Sequence, residues 1–138
     1  MSRSGYSEDL EPWDLIRWRG QVASAIRGQR GQQCLREMLG ALDAMPIKRL
    51  IPEELETADG EVCALGALGK ARGIDMSSLD PEDYDAVAEV FRIPHQLARE
   101  IVYVNDDGYY GSPEARFIAM RFWIIRHLNS PAADGAGY

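Results

Sequence analysis

Residues 59–72 read DGEVCALGALGKAR, and no other stretch of the chain is as regular. A polar turn at Asp59-Gly60 leads directly into a segment in which six residues carry almost no side chain. Glycine inside a helix costs about 1 kcal/mol relative to alanine, so tight packing or a binding site must offset that cost. Small residues such as Gly66 also allow another backbone or a ligand to approach closely. The segment therefore predicts a closely packed helix from Val62 to Arg72.

The hydrophobic pattern on both sides of this segment is also helical. Proline suits the first helical position, so a first helix is predicted from Pro12 to the glycine-rich break at residues 28–31. Four more helices are predicted, starting at about Gln32, Asp80-Pro81, Ile93-Pro94 and Ser112-Pro113. Residues 48–62 allow one short β-hairpin. The sequence thus predicts a mainly α fold, a compact single-domain bundle of about six helices.

Length and composition favour one globular domain in the cytoplasm. A chain of 138 residues with 46% hydrophobic residues can build one core. We expect a flexible tail at 1–9, a single α-helical domain at 10–128 and a disordered tail at 129–138. The sequence has neither an apolar run of membrane-spanning length nor a secretory signal. Its two cysteines form no Cys-x-x-Cys pair, so we expect neither a structural metal nor a cofactor.

Charge is unevenly distributed along the chain, whose net charge is −7. Residues 12–36 contain five arginines and one acid, whereas residues 74–107 contain nine acids and two arginines. The two segments either pair with each other or form separate basic and acidic surfaces. In the second case Arg17, Arg19, Arg27 and Arg30 could contact phosphate groups of a nucleic acid. The acidic segment, with Asp83 and Asp85, could bind a basic surface of a partner.

Cys63 is the weak catalytic candidate of the chain. A thiol near a helix N-terminus can become a nucleophilic thiolate. Such a nucleophile needs a base, for which His95 and His127 are available, and an orienting acid such as Asp106. The alternative is a small buried cysteine with a purely structural role.

Asn105-Asp106-Asp107-Gly108 combines carboxylates with turn-forming residues. The segment could bind a cation or supply acid–base chemistry, although the further ligands of a calcium-binding EF-hand loop are missing. The simpler interpretation is the end of a helix. A third interpretation is structural, since Asn105 or Asp106 could accept hydrogen bonds from the free amides at the start of the Cys63 helix.

Aromatic residues cluster around the loop that precedes the last helix. Tyr109 and Tyr110 lie in this loop, and Trp123 lies in the helix next to Phe122. If these rings are exposed together, they form an interface for a partner or for a homodimer. If the core wraps around the last helix, they are buried instead.

Several motifs resemble those of a group of uncharacterised small proteins carried by phages and prophages. They are Gly60-x-Val62-Cys63-Ala64-Leu65-Gly66-Ala67-Leu68, then Asn105-Asp106, then Ser112-Pro113-Glu114-x-Arg116. The N-terminal stretches at 13–20 and 25–32 share the resemblance, which thus covers residues 3–127. It implies an accessory protein in the cytoplasm of a bacterial host. Phage accessory proteins of this size often bind a component of the host or of its defence systems.

Three functional hypotheses follow. The leading one is a non-catalytic accessory protein that binds a host macromolecule, such as a component of antiviral defence, and blocks or recruits it. The alternative is a small enzyme or ligand-binding domain centred on Cys63 and Asn105-Asp106. The second alternative is nucleic-acid binding through the N-terminal arginines.

Overall fold

The computed structural model describes residues 12–108 and 110–129. These residues form a small, compact all-α bundle, so the predicted fold class is confirmed. The six helices found in the described residues are α1 Pro12–Arg27, α2 Gln29–Ala44, α3 Ala64–Arg72, α4 Tyr84–Phe91, α5 His95–Asp107 and α6 Pro113–His127. The predicted tail at 1–9 lies outside the described residues, as does all of the predicted tail at 129–138 except Asn129.

Two helices organise the core. Helix α2 packs against α1, α3 and α6, while α5 packs against α1, α3, α4 and α6. Leucine and methionine on the inner face of α2 and aliphatic residues of α5 are completely buried, as are two residues of α6. The members of this core with no exposed surface include Leu35, Met38, Leu42, Leu97, Ile101, Met120 and Ile124. Burial of this apolar surface is the main stabilising contribution to such a bundle.

The small residues of α3 are needed because the helix is surrounded closely. Every residue from Ala64 to Gly69 is buried. A Cβ atom on Gly66 would collide with the backbone carbonyl oxygen of Leu55, and one on Gly69 would collide with the sulfur of Met76. Close packing thus offsets the helix-weakening effect of these glycines. The helix starts at Ala64, two residues later than predicted, and ends before a left-handed Gly73, as predicted.

Two other helix starts differ from the prediction. Helix α2 already begins at Gln29, so the break is confined to Gly28, and Gly31 lies in the first turn. A Cβ atom on Gly31 would collide with the carbonyl oxygen of Ala25, which shows how closely the two helices meet. Helix α4 begins only after Asp83, which caps it. The carboxylate of Asp80 instead accepts the Glu82 amide at 2.9 Å and closes a separate turn.

The hairpin allowed by residues 48–62 is reduced to one antiparallel bridge between Glu56 and Val62. No strand is assigned in the described residues. The backbone still makes sheet-like hydrogen bonds, such as Ile51 N–H to Val62 O at 3.0 Å. Pro52 has no N–H to donate, and Glu53 takes a left-handed backbone with φ of 72°. These two residues interrupt the ladder before it can extend.

Helix α1 buries only its C-terminal half against the described residues. Val22 and Ile26 are buried, whereas Trp13 and Ile16 are 77% and 64% exposed. The apolar spacing correctly predicted the helix but not the extent to which its face is covered.

Candidate functional site

Asn105 connects four parts of the fold. It lies near the end of α5 and is 1% exposed. Its side-chain oxygen accepts the Ala64 N–H at 3.1 Å, in the first turn of α3. Its side-chain nitrogen donates to the carbonyl of Ile51 at 3.0 Å, and its backbone carbonyl accepts from the guanidinium of Arg116 at 2.7 Å. Of the three interpretations of this segment, the structural one, in which Asn105 or Asp106 accepts an amide at the start of the Cys63 helix, is confirmed for Asn105.

Asp106 supports the same junction. Its carboxylate accepts the Asn105 side-chain N–H at 2.8 Å, which fixes the orientation of that amide. The same oxygen accepts the backbone N–H of Glu53 at 3.2 Å. This hydrogen bond holds the left-handed backbone at Glu53, a conformation that costs about 1–3 kcal/mol outside glycine. Asn105 and Asp106 thus hold the 51–53 segment and α3 in place.

Cys63 is the N-cap of α3 and is 1% exposed. Its sulfur accepts the Gly66 N–H at 3.3 Å, and its own backbone N–H donates to Leu55 O at 3.3 Å. A cap of this kind satisfies one of the free amides at a helix start. The structure thus brings Cys63 and Asn105 together at the first turn of α3, and both cap that turn.

The two histidines considered as bases for Cys63 make their contacts elsewhere. His95 stacks on Trp18 of α1, with ring centroids 6.1 Å apart. His127 lies against Trp123, and its Nδ1 is 2.8 Å from the Trp123 carbonyl oxygen. Neither arrangement resembles a base hydrogen-bonded to a nucleophile. The remaining thiol, Cys34, is buried in the core, and burial raises its pKa to about 12.

The four predicted arginines separate into two groups. The guanidinium of Arg19 makes two hydrogen bonds to Glu100, at 2.7 and 2.9 Å, and so joins the basic and acidic segments. Arg17, Arg27 and Arg30 are exposed and take part in no ion pair with another described residue. One ion pair therefore joins the two segments in the described part of the chain, and Arg17, Arg27 and Arg30 stay accessible.

An acidic surface covers α4 and the turn before it. It is defined here by five exposed carboxylates: Asp80, Glu82, Asp83, Asp85 and Glu89. None of them forms an ion pair within residues 12–108 and 110–129. Asp83 accepts the Ala86 N–H at 3.1 Å as the cap of α4, whereas Asp85 and Glu89 lie one helical turn apart. These charges are available to a partner.

Two residues of the predicted aromatic patch, Tyr110 and Trp123, are half-buried. Tyr109 lies outside the described residues. The hydroxyl of Tyr110 donates to Val104 O at 2.6 Å, and burial raises its pKa. Trp123 is partly buried against the core. Exposed apolar side chains also lie along α6, where Ile118, Phe122 and Ile125 are 67%, 60% and 45% exposed and form what we call the α6 stripe.

A groove of about 730 Å³ was not predicted. It is lined by one face of α2 and by the ends of α3 and α4, and we call it the arginine groove. Its lining residues are Gln29, Arg30, Gln33, Arg36, Arg72, Ile74, Val90 and Arg92. Only Arg30 was among the predicted binding residues. Arg36 was noted as part of the basic segment, but no sequence signal connects it to Arg72 and Arg92, which are distant in the chain.

Two further findings concern metals and membranes. The described residues contain no group of three or more His, Cys, Asp or Glu side chains that could hold a metal ion. Among the helices of those residues, none has both the length and the apolar character that crossing a membrane requires.

Comparisons with protein-family models, with curated proteins and with solved structures found no match to this chain.

Proposed function

We propose that this protein is a non-catalytic phage or prophage accessory protein that binds a host macromolecule and blocks or recruits it. We place a host protein first as the partner, such as a component of antiviral defence, in the cytoplasm of the bacterial host. The side chains best suited to chemistry, Cys63 and Asn105, are buried and hydrogen-bonded to backbone groups. That arrangement supports a binding function over catalysis.

The acidic surface carries this proposal. Five carboxylates are exposed on and before α4 with no ion pair among the described residues, in a chain whose net charge is −7. Unpaired charges of one sign accelerate encounter with a surface of opposite charge and disfavour partners of like charge. We therefore propose that the host partner presents a basic surface to α4.

The α6 stripe is the surface on which we propose a homodimer. Its residues are spaced i, i+4 and i+7, so they form one apolar line along the helix. If two copies pair antiparallel about a two-fold axis that passes the exposed side of α6 at the level of Met120, Ile118 of one copy lies level with Phe122 of the other. The same axis brings Glu114 of one copy level with Arg126 of the other. This complementarity favours a second copy as the occupant.

The host-partner proposal is tested by affinity capture from host lysate after nuclease treatment, read by quantitative mass spectrometry. The test variant is Asp85→Lys/Glu89→Lys, which reverses two charges of the acidic surface and keeps the Asp83 cap. The matched control, Glu54→Lys/Asp59→Lys, makes the same change in charge at two exposed carboxylates outside that surface. We expect a host protein that the wild type and the control retain and that the test variant loses.

Equal retention by both variants would contradict the role of the acidic surface. Retention that disappears with nuclease would favour nucleic-acid binding instead.

The homodimer is tested separately by sedimentation equilibrium. Arg126→Glu should weaken self-association, and Glu114→Arg/Arg126→Glu should restore it. A monomeric wild type would contradict the homodimer and leave the host-partner proposal standing.

A further inference from the structure

We propose that the arginine groove binds a small phosphate-bearing anion of nucleotide size. This inference does not rest on the host-partner proposal, because the groove and the acidic surface are different sets of residues. Four arginines and two glutamines surround a space of about 730 Å³ in a chain that is acidic as a whole. Small-molecule sites in proteins typically occupy about 300–1,000 Å³. The groove therefore has the size of a ligand site and a charge opposite to that of the rest of the chain.

Three of the guanidinium groups are available to an anion. Arg30, Arg36 and Arg92 are exposed and form no ion pair with another described residue. Arg72 is held in place differently, since its Nε donates to Glu37 at 2.8 Å and its NH1 donates to the carbonyl of Phe91 at 2.6 Å. The planar guanidinium matches phosphate oxygens with two parallel hydrogen bonds. Three unpaired groups of this kind around one groove favour a ligand with more than one phosphate.

Arg92 supports a ligand-binding role through its backbone. It caps the C-terminus of α4 in the left-handed region, with φ of 58°. Glycine is the residue that this cap position usually takes, because a Cβ atom is strained there. The chain instead has an arginine whose side chain lines the groove. The guanidinium thus lies at a position where glycine would be the more stable residue.

The rest of the lining favours a nucleotide over a single-stranded nucleic acid. The apolar side chains of Ile74 and Val90 form a wall that can contact a planar base. The amides of Gln29 and Gln33 can donate to and accept from its polar edge. Proteins that bind single strands use aromatic rings as stacking platforms, and no aromatic side chain of residues 12–108 or 110–129 lines this groove. The exposed ring of Trp13 lies on α1 and does not line it.

Isothermal titration calorimetry at low salt tests the proposal with three probes: pyrophosphate, ATP and a short oligothymidylate. The main variant is Arg92→Gly, which removes the guanidinium and relieves the left-handed backbone, so Tm should be unchanged or higher. Arg36→Gln is a second groove variant, and Arg17→Gln removes an exposed arginine of α1 that does not line the groove. We expect ATP to bind more tightly than pyrophosphate. Each groove variant should weaken ATP binding about tenfold or more, whereas Arg17→Gln should leave it unchanged.

Three results would overturn the proposal. The first is the absence of heat with both ATP and pyrophosphate at millimolar concentration. The second is ATP binding that Arg92→Gly and Arg36→Gln leave at the wild-type affinity. The third is binding of the oligothymidylate alone, which would assign the arginines to a nucleic acid.

Discussion

Replacing Asn105 with alanine should destabilise the protein strongly. The change removes the acceptor for Ala64 N–H and the donor to the Ile51 carbonyl. Ala64 has no exposed surface, so its N–H would be left buried and without a partner. The orphaned Ala64 N–H costs about 1–3 kcal/mol, and loss of the hydrogen bond to Ile51 contributes a further ~0.5–1.5 kcal/mol. We therefore expect a loss of about 1.5–4.5 kcal/mol, a large part of the ~5–15 kcal/mol typical of a domain.

The assay is reversible urea unfolding followed by far-UV circular dichroism. Wild type and variant are fitted with the same dependence of the unfolding free energy on urea concentration. The control is Gln33→Ala, because Gln33 is also an amide but lies exposed on α2, and its one hydrogen-bond partner among the described residues is the side chain of Glu37, at 3.2 Å. Surface changes of this kind are usually within about 0.5 kcal/mol. If Asn105→Ala lost less than about 1 kcal/mol, the cap on α3 would be unimportant and the structural interpretation of Asn105 would be wrong.

Three further predictions concern packing, thiols and pH. Gly31→Ala should lower the free energy of unfolding by about 1–3 kcal/mol, because the added Cβ would collide with the Ala25 carbonyl. Gly40→Ala lies in open space on the same helix and should raise the free energy of unfolding by ~0.4–1 kcal/mol. Thermal melts that show equal effects for the two variants would contradict this packing. Both buried thiols should resist Ellman's reagent at pH 8 and react only after the protein is unfolded in guanidinium. Rapid labelling of Cys63 in the native protein would instead favour the enzyme alternative. Hydrogen bonding to Arg72 lowers the pKa of Glu37, so its stabilising contribution is present above the unfolded value of about 4.5 and is lost as pH falls through the folded value. Between pH 7 and pH 3, the free energy of unfolding measured in urea should therefore fall less in Glu37→Gln than in the wild type. Equal decreases in the two proteins would contradict the pairing of Glu37 with Arg72.

Local signals predicted most of the fold. The Ser112-Pro113 cap and Gly73 act within one helical turn, so the sequence alone places the corresponding helix ends correctly. The start of α4 was misplaced because Asp80 and Asp83 are both good caps, and only the hydrogen bonds of the folded chain show which one is used. Gly31 was read as a helix break although its role is close contact with α1.

The sites were less predictable because they depend on contacts between distant residues. The hydrogen bond from Ala64 to Asn105 spans 41 positions in the sequence. It could be anticipated only because one end is a helix start with free amides and the other is a polar segment, Asn105-Asp106. The arginine groove joins positions from three helices, and nothing in the spacing of Arg36, Arg72 and Arg92 relates them. The exposure of Phe122 and the burial of Trp123 likewise depend on how α6 rotates against α2 and α5.

Nuclease-treated affinity capture at physiological salt addresses the proposed binding function most directly, with the wild type, Cys63→Ala and Asp85→Lys/Glu89→Lys compared side by side. We predict that the wild type and a folded Cys63→Ala retain the same host protein and that the charge-reversed variant loses it. If no macromolecule is retained by the wild type, or if Cys63→Ala alone abolishes retention while keeping its fold, the protein is not the non-catalytic binder proposed here.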